Sequence, residues 1–509
     1  MKSVLVFLSV VATAFGYNIL CIQSVPSKSH YHLMKGIVDP LLKAGHQITF
    51  IAHFPESKPV KNLKYIDVSH IKIPAETEDW SDKSKQSIAV IKKLARNLFR
   101  DLIVTPEVRE ALLKEKFDAV VTEWFFSDTD TGYAAVQQVP WILLSGLAMH
   151  SHVESLVDTV RSVPTIPAFL IDSPIPMNFW SRLQNTLLYL LMSTESLLDY
   201  SVLKSDYETY FSPFAKARGV TLPPYNEAIH DISVLFVNSH PSFSPAQSLP
   251  PNVVEIGGYH IPEEIPPLPK DLQDILDSSP QGVVLFSMGS IIKSKALAEH
   301  TRRDLIKVFG ELPYTVLWKF DENIEGLPKN IHIRSWMPQT SILAHKNVKL
   351  FITHGGLLST QESLRFGIPI IAIPVFGDQP SNAQKSVQGG HALMIDFSPE
   401  MAGPLKDALK EMLSNDRYYK RAKYLSQLFV DRPVNTTHLI QHYVRHAIET
   451  NGAHHLRSKA LLYSWYELWM LDQVAFLLVI LYTIYRVFKK IVGCFKRDKS
   501  IKTGKEKRH

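Results

Sequence analysis

Between Trp336 and Gln379 the chain carries an unusual density of groups that can bind a nucleotide and a sugar. Trp336 offers a flat face for a base, and the Gln339 amide can pair with a base edge. His354 and the backbone N–H groups of Gly355 and Gly356 suit a diphosphate. Ser359 and Glu362 are three apart and share a helix face. A carboxylate such as Glu362 can accept from both hydroxyls of a ribose. Asp378 and Gln379 can read sugar hydroxyls in the same way. Each residue alone has a plainer reading: Trp336 as a core anchor, Asp378 as a turn residue.

The elements that must position these groups follow from the apolar pattern. Val348 to Thr353 reads as a buried strand, ended by a Gly-Gly turn and followed by a helical pattern. In that geometry, amides at a helix start can hold a phosphate. A second strand, Ile368 to Val375, delivers Asp378 and Gln379 to the crevice of an open α/β sheet. Upstream, Val283 to Phe286 is a strand followed by Ser287, Gly289 and Ser290. Taken together, Trp336, Gln339, Thr353-His354-Gly355-Gly356, Ser359, Glu362 and Asp378-Gln379 resemble the donor signature of the membrane-bound UDP-glycosyltransferases. Leu357-Leu358-Ser359 is closer to invertebrate, insect-type members, since vertebrate ones usually carry Asn at the position of Leu358. Ser287, Gly289 and Ser290 resemble that family's Ser-X-Gly-Ser, which would set Ser290 close to the phosphates.

The resemblance implies an α/β protein of GT-B type: two facing Rossmann-like domains and a C-terminal transmembrane helix. The N-terminal domain would bind the acceptor and the C-terminal one the UDP-sugar. It also implies glycosyl transfer with inversion, which needs a group to take the proton of the attacking hydroxyl. Histidine suits this, because its ordinary pKa of about 6.5 lies near working pH. The first strand ends at Ser24, so the turn Pro26 to His30 faces the crevice. His30 is similar to the family's catalytic histidine. His32 and His46 read as structural. A carboxylate usually orients such a base and stabilises its imidazolium. The family commonly has Asp after a strand like 117–122; here Glu123 stands there, one methylene longer, and Asp128 is the other candidate. Asp128-Thr129-Asp130 could also hold a divalent ion. It lies in the wrong half for the nucleotide, and the resemblance implies that helix dipoles and His354 neutralise the diphosphate, so no metal or other cofactor is expected.

The chain has 509 residues, a net charge of +6 and 45% hydrophobic residues, the composition of a globular protein with two or three domains. From Arg486 onward ten Lys or Arg face two acidic residues, a charge of +8, which leaves about −2 for the rest. The body therefore has no case as a nucleic-acid binder. Residues 1–16 read as a signal peptide. Strand and helix signals alternate over 17–240, and 150–215 is aromatic and Leu-rich enough for an apolar lid or pocket wall. Nine of the 32 prolines fall in 241–280, a linker composition. The pattern restarts over 281–450, followed by a connecting segment, 451–467. Val474 to Tyr485 is uncharged; extended to 468–488 it reaches membrane-spanning length. The basic tail, 489–509, would face the cytosol and the catalytic domains the lumen. Lys505 and Lys507 resemble a dilysine endoplasmic-reticulum retrieval signal. Cys21 and Cys494 would lie on opposite sides of the membrane, unable to pair. Asn435-Thr436-Thr437 is a glycosylation sequon.

The reading is thus a single-pass type I enzyme of the endoplasmic reticulum. It would move a hexose, glucose by resemblance to invertebrate members, from a UDP-sugar to a small lipophilic acceptor, with a homo-oligomer possible. UDP-glucuronic acid is the alternative donor. The alternative class is a non-catalytic, membrane-tethered protein that binds UDP-sugar or lipophiles.

Overall fold

The structure, a computed structural model, describes residues 16–56, 58–74, 87–157, 163–168, 175–289, 297–322 and 324–506. The signal-peptide reading, Ser290 and Lys507 lie outside the described residues, apart from Gly16.

The first half is built on one parallel sheet of seven strands: β1 (Asn18–Ile22), β2 (Gln47–Ala52), β3 (Leu63–Asp67), β4 (Ala119–Trp124), β5 (Trp141–Ser145), β6 (Ile232–Val237) and β7 (Val253–Glu255). Their order is β3-β2-β1-β4-β5-β6-β7. The strands are apolar in continuous runs because helices cover both faces. Helix α1 (Lys28–Lys43) follows β1. Ser27 caps it by accepting from the His30 amide, and Met34, Ile37, Val38 and Leu41 form its buried stripe. Helix α2 (Ile88–Val104) and the long helix α3 (Phe179–Arg218) lie further along.

The second half is a six-stranded parallel sheet: β8 (Val283–Ser287), β9 (Thr315–Lys319), β10 (Ile331–Arg334), β11 (Val348–Thr353), β12 (Ile370–Ala372) and β13 (Ala392–Met394), in the order β10-β9-β8-β11-β12-β13. Helix α4 (Leu357–Phe366) follows β11, and α5 (Gln379–Gln388) follows β12. In each sheet the strand order reverses at the first strand, between β1 and β4 and between β8 and β11. Ligands of open α/β sheets bind at such points.

The Pro-rich stretch 241–280 is more structured than its composition suggests. It contains β7, and Ile256, Tyr259 and Ile261 are buried. The helix Lys270–Asp277 buries Leu272 and Leu276 against the second sheet. The prolines sit in the turns around these pieces and so mimic a linker. A small core of Phe243, Ile261, Leu357, Leu364, Leu425 and Phe429 joins this stretch to α4 and to α6 (Asp416–Val430).

Helix α7 (Thr436–Glu449), which sequence order assigns to the second half, packs on the first. Ile440, Val444 and Ala447 join the core of Ile19, Met34 and Ile37. Asn435, the sequon residue, is exposed and caps α7 by accepting from the His438 amide at 2.8 Å.

From Ser458 the chain forms a separate compact unit. Its main element is α8 (Leu471–Glu506), whose stretch Leu471–Gly493 is long and apolar enough to cross a membrane. The helix begins at Leu471 rather than at 468, because Met470 adopts a left-handed backbone with φ of +52°.

Candidate active site

At the first reversal point, α1 carries His30 and β4 carries Glu123. His30 Nδ1 lies 2.6 Å from Glu123 Oε1. Glu123 is buried and His30 is about one-fifth exposed, so the imidazole alone meets the cleft. The Phe125 ring stands edge-on to the imidazole, with centroids 5.3 Å apart. Burial acts to lower the His30 pKa, but the Glu123 charge and hydrogen bond, with Asp378 adding to them, raise it above its ordinary value. The contact also fixes the tautomer. Nδ1–H donates to the carboxylate, which leaves Nε2 with the free lone pair.

Asp128, the alternative partner, does not serve that histidine. Its Oδ1 accepts from Trp124 Nε1 at 2.8 Å, and it lies on a tight turn, Asp128–Asp130, beyond the strand. Asp130 is buried, and burial pushes its carboxyl up to about 8. Among the described residues no group of three or more His, Cys, Asp or Glu is arranged to hold a metal ion. Burial, with Lys28 and Lys35 adding to it, lowers the pKa of His32.

At the second reversal point, β11 ends at Thr353 and His354 follows. The His354 ring is pressed between two glycines. A Cβ on Gly289 would come within 2.8 Å of the ring, and one on Gly356 within 2.5 Å. Gly289 and Gly355 have φ of +79° and +78°, a backbone that only glycine adopts freely. Gly356 is the N-cap of α4 and has no side chain to satisfy the first amides, so they remain available to an anion. Burial, with the Lys319 ammonium adding to it, holds the His354 pKa down at about 4. The ring is therefore neutral at physiological pH.

One turn along α4, Glu362 accepts hydrogen bonds from Gln339 Nε2 and Thr340 Oγ1, and Gln339 also donates to Ser359 Oγ at 3.0 Å. Burial raises the Glu362 pKa against these two donors. Trp336 is largely exposed, with Lys319 Nζ 5.3 Å from its ring centroid. The same ammonium donates to the Gly289 carbonyl at 2.6 Å. Trp336 is thus no core anchor: it offers an open face.

Past β12, Gln379 Oε1 accepts from the amides of Val375 and Phe376 at 2.8 and 3.2 Å and so fixes the loop before α5. Asp378 accepts from Asn382 Nδ2 at 2.6 Å. Burial raises its pKa, while Asn382, Lys385 and His30 lower it. Asp378 of the second half and His30 of the first thus each act on the other's pKa.

Sequence reasoning missed two residues. Lys319 ends β9 beside the donor groups and looked like any strand-end lysine. Gln361, on α4 and fully buried, clasps the first half: its Nε2 donates to the Asn238 carbonyl at 3.1 Å, and its Oε1 accepts from the Gly258 amide at 3.0 Å. Asn238 in turn donates through Nδ2 to the Gly146 carbonyl at 3.2 Å. A Cβ on Gly146 would lie 3.3 Å from Glu123 Oε1. The partners of Gln361 are more than a hundred residues away, and no local signal reveals them.

This constellation agrees with comparison to known proteins. The model of the UDP-glucuronosyl and UDP-glucosyl transferase family matches residues 61–507. The chain belongs to this family. UDP-glucosyltransferase 2 of Dactylopius coccus is 32% identical over 480 residues, covering 93% of this chain and 92% of that protein. Human UDP-glucuronosyltransferase 2B7 is 27% identical over 508 residues, covering 94% and 93%. The structure of Medicago truncatula UGT71G1 complexed with UDP-glucose superposes with a TM-score of 0.56 at 16% identity, over 84% of this chain and 98% of that one. At that identity the likeness is one of fold, and the fold is GT-B. As a family member the chain is a UDP-glycosyltransferase that uses a UDP-sugar donor.

Proposed function

We propose that the protein transfers glucose, with inversion, from UDP-glucose to a hydroxyl of a small lipophilic acceptor, with His30 as general base. The contact between His30 Nδ1 and Glu123 at the cleft carries this reading. As the acceptor oxygen attacks the anomeric carbon, Nε2 takes its proton. The bond from that carbon to the diphosphate oxygen breaks on the opposite face. Glu123 stabilises the imidazolium that forms. UDP leaves with its charge met by the free amides of α4, by His354 and by the nearby Lys319 ammonium. Trp336 and Gln339 hold the base, Glu362 and Ser359 the ribose, and Asp378 and Gln379 the sugar. Ser290 belongs to the phosphate end in the same scheme. No metal takes part.

Glucose is favoured over glucuronic acid by the insect relative that bears the glucosyltransferase name. The carboxylate of Asp378 at the sugar end also suits a neutral hexose better than an anionic one. The apolar helix of the tail favours a single-pass anchor with the catalytic halves in the lumen of the endoplasmic reticulum. The exposed Asn435 fits a glycosylated sequon, and acceptors that partition into lipid fit that location.

The test is transfer from a panel of UDP-sugars to mixed phenols and lipophilic alcohols, in microsomes holding the full chain, each paired with His30→Ala. The expected result is conjugation from UDP-glucose, lost in the variant while UDP still binds, and unchanged by a chelator. Transfer from UDP-glucuronic acid instead would overturn the donor. Near-normal turnover of His30→Ala would overturn the mechanism. Binding of UDP without transfer from any donor would favour the non-catalytic reading.

A further inference from the structure

Five of the chain's 21 histidines fall between positions 438 and 455, and the proposed transfer uses none of them. His438, His442 and His446 are spaced four apart on α7 and so rise along one face of the helix. The His442 and His446 rings stack at 13°, with centroids 5.7 Å apart. Past α7 the chain reverses. Asn451, Gly452 and Ala453 take φ of +50°, +109° and +47°, a left-handed run that Asn451 and Ala453 enter at a steric cost. The Gly452 amide donates to the Ala447 carbonyl at 2.8 Å, and the buried Ala453 anchors the bend. The reversal brings the short turn His454–Leu456 back to the last turns of α7. There His455 meets His446: the two Nε2 atoms are 3.0 Å apart and the ring planes stand at 79°. His455 is exposed and His446 partly so.

We propose that His446 and His455 form a binding site for a divalent transition-metal ion of the kind that imidazole prefers. Two rings that face one another through the same nitrogen have limited use for each other. Two lone pairs would repel, and a single proton between them makes one solvent-exposed hydrogen bond of small net worth. An ion between them takes a lone pair from both. At about 2.0–2.1 Å from each nitrogen, an ion bridging a 3.0 Å separation holds the two at an angle of about 94°. That is close to the right angle between neighbouring ligands of a tetragonal copper(II) or nickel(II) ion. The ion displaces the proton held between the two Nε2 atoms, and each ring binds as neutral imidazole with its proton on Nδ1. Two ligands come from the protein and water supplies the rest, so the site exchanges its ion with solvent. The consequence is mechanical. His446 belongs to the helix that completes the core of the first half, and His455 stands three residues before Ser458, where the second unit begins. A shared ion clips the outgoing chain to that helix.

The test is calorimetry with nickel(II) on the full chain in detergent, purified without a polyhistidine tag. The expected result is one ion per chain. Its affinity should be weaker by roughly tenfold or more in His446→Ala and in His455→Ala, since even the partners that orient metal ligands are worth that much, and should stay within about threefold in His438→Ala. Hydrogen exchange over residues 450–457 should slow when nickel is added to the unmodified chain but not to His455→Ala. UDP binding shows that each variant is folded, because none of these residues belongs to the donor site. Nickel binding that survives His455→Ala would overturn the proposal, since the ion would then sit on the helix alone, between His442 and His446. No binding by about 1 mM nickel would overturn it as well and leave the pair as a plain hydrogen bond. Nickel bound through both histidines with exchange unchanged would keep the site and overturn the clip.

Discussion

Because Nδ1 of His30 is bonded to Glu123, the proposed chemistry runs through Nε2 and depends on the imidazole being neutral. The pair holds the His30 pKa above its ordinary value of 6.5. Activity should therefore fall as pH drops through a value above 6.5. In Glu123→Gln the carboxylate's raising influence is gone and burial, which lowers the pKa, remains. The acid limb of kcat/KM should move to lower pH while kcat drops by roughly 10²- to 10⁴-fold, the usual worth of a general base. A pH–rate profile of the two enzymes checks this; an unmoved limb would show that His30 is not the titrating base. Glu123→Asp should restore the charge but not the reach, and so recover the limb more than the rate. The sequence named His30 and both carboxylates but could not choose between them. The choice lay in the Trp124 indole, which occupies Asp128 from four residues away. The grouping of the donor candidates was more legible: Ser359 and Glu362 share α4, and both bond to Gln339.

Helix α4 joins donor chemistry to domain geometry. In the proposed scheme its first amides and Glu362 hold the nucleotide, while Gln361, the adjacent residue, bonds to Asn238 and Gly258 of the first half. Asn238 in turn holds the Gly146 carbonyl, and Gly146 lies so near Glu123 that an added Cβ would stand 3.3 Å from Glu123 Oε1. Gln361 is thus a positioning residue that sets the donor helix relative to the His30–Glu123 pair. Each buried backbone group it leaves unsatisfied costs about 1–3 kcal/mol. Gln361→Leu should lower kcat by roughly tenfold or more while the Kd for UDP stays within about threefold, since the donor groups themselves are untouched. Gln361→Glu should do no better, because it turns a carboxylate oxygen toward the Asn238 carbonyl. Steady-state kinetics with calorimetry on UDP separate the effects; a matched loss of UDP affinity would mean that Gln361 merely holds α4 in shape. Element types were largely readable here, since runs such as Val348 to Thr353 followed by Gly-Gly admit few alternatives. The strand β7 was not, because three residues among prolines give no period to detect.

At the scale of the molecule, the two halves are tied by more than the crossing at 241–280. Composition pointed correctly to two α/β halves and an apolar tail helix. It could not show that the last helix of the second half changes sides, because Ile440, Val444 and Ala447 declare an apolar face without saying which sheet it covers. In the structure that face completes the core beneath α1, beside Ile19, Met34 and Ile37, and Gln441 donates to the Pro40 carbonyl at 2.8 Å. The first half therefore depends on residues four hundred positions downstream of its opening strand. Ile440→Ala should destabilise by roughly 2–5 kcal/mol, the range for emptying a buried isoleucine site. The loss should be local in character. Hydrogen exchange should speed up in peptides covering β1 and β4 more than in peptides covering β8 and β11, although residue 440 follows the second sheet in sequence. Faster exchange in β8 and β11 alone would show that α7 stabilises the half it leaves rather than the half it joins. The expected pattern also bears on catalysis: α1 presents His30, so loosening the core under it should lower kcat even though Ile440 touches neither substrate.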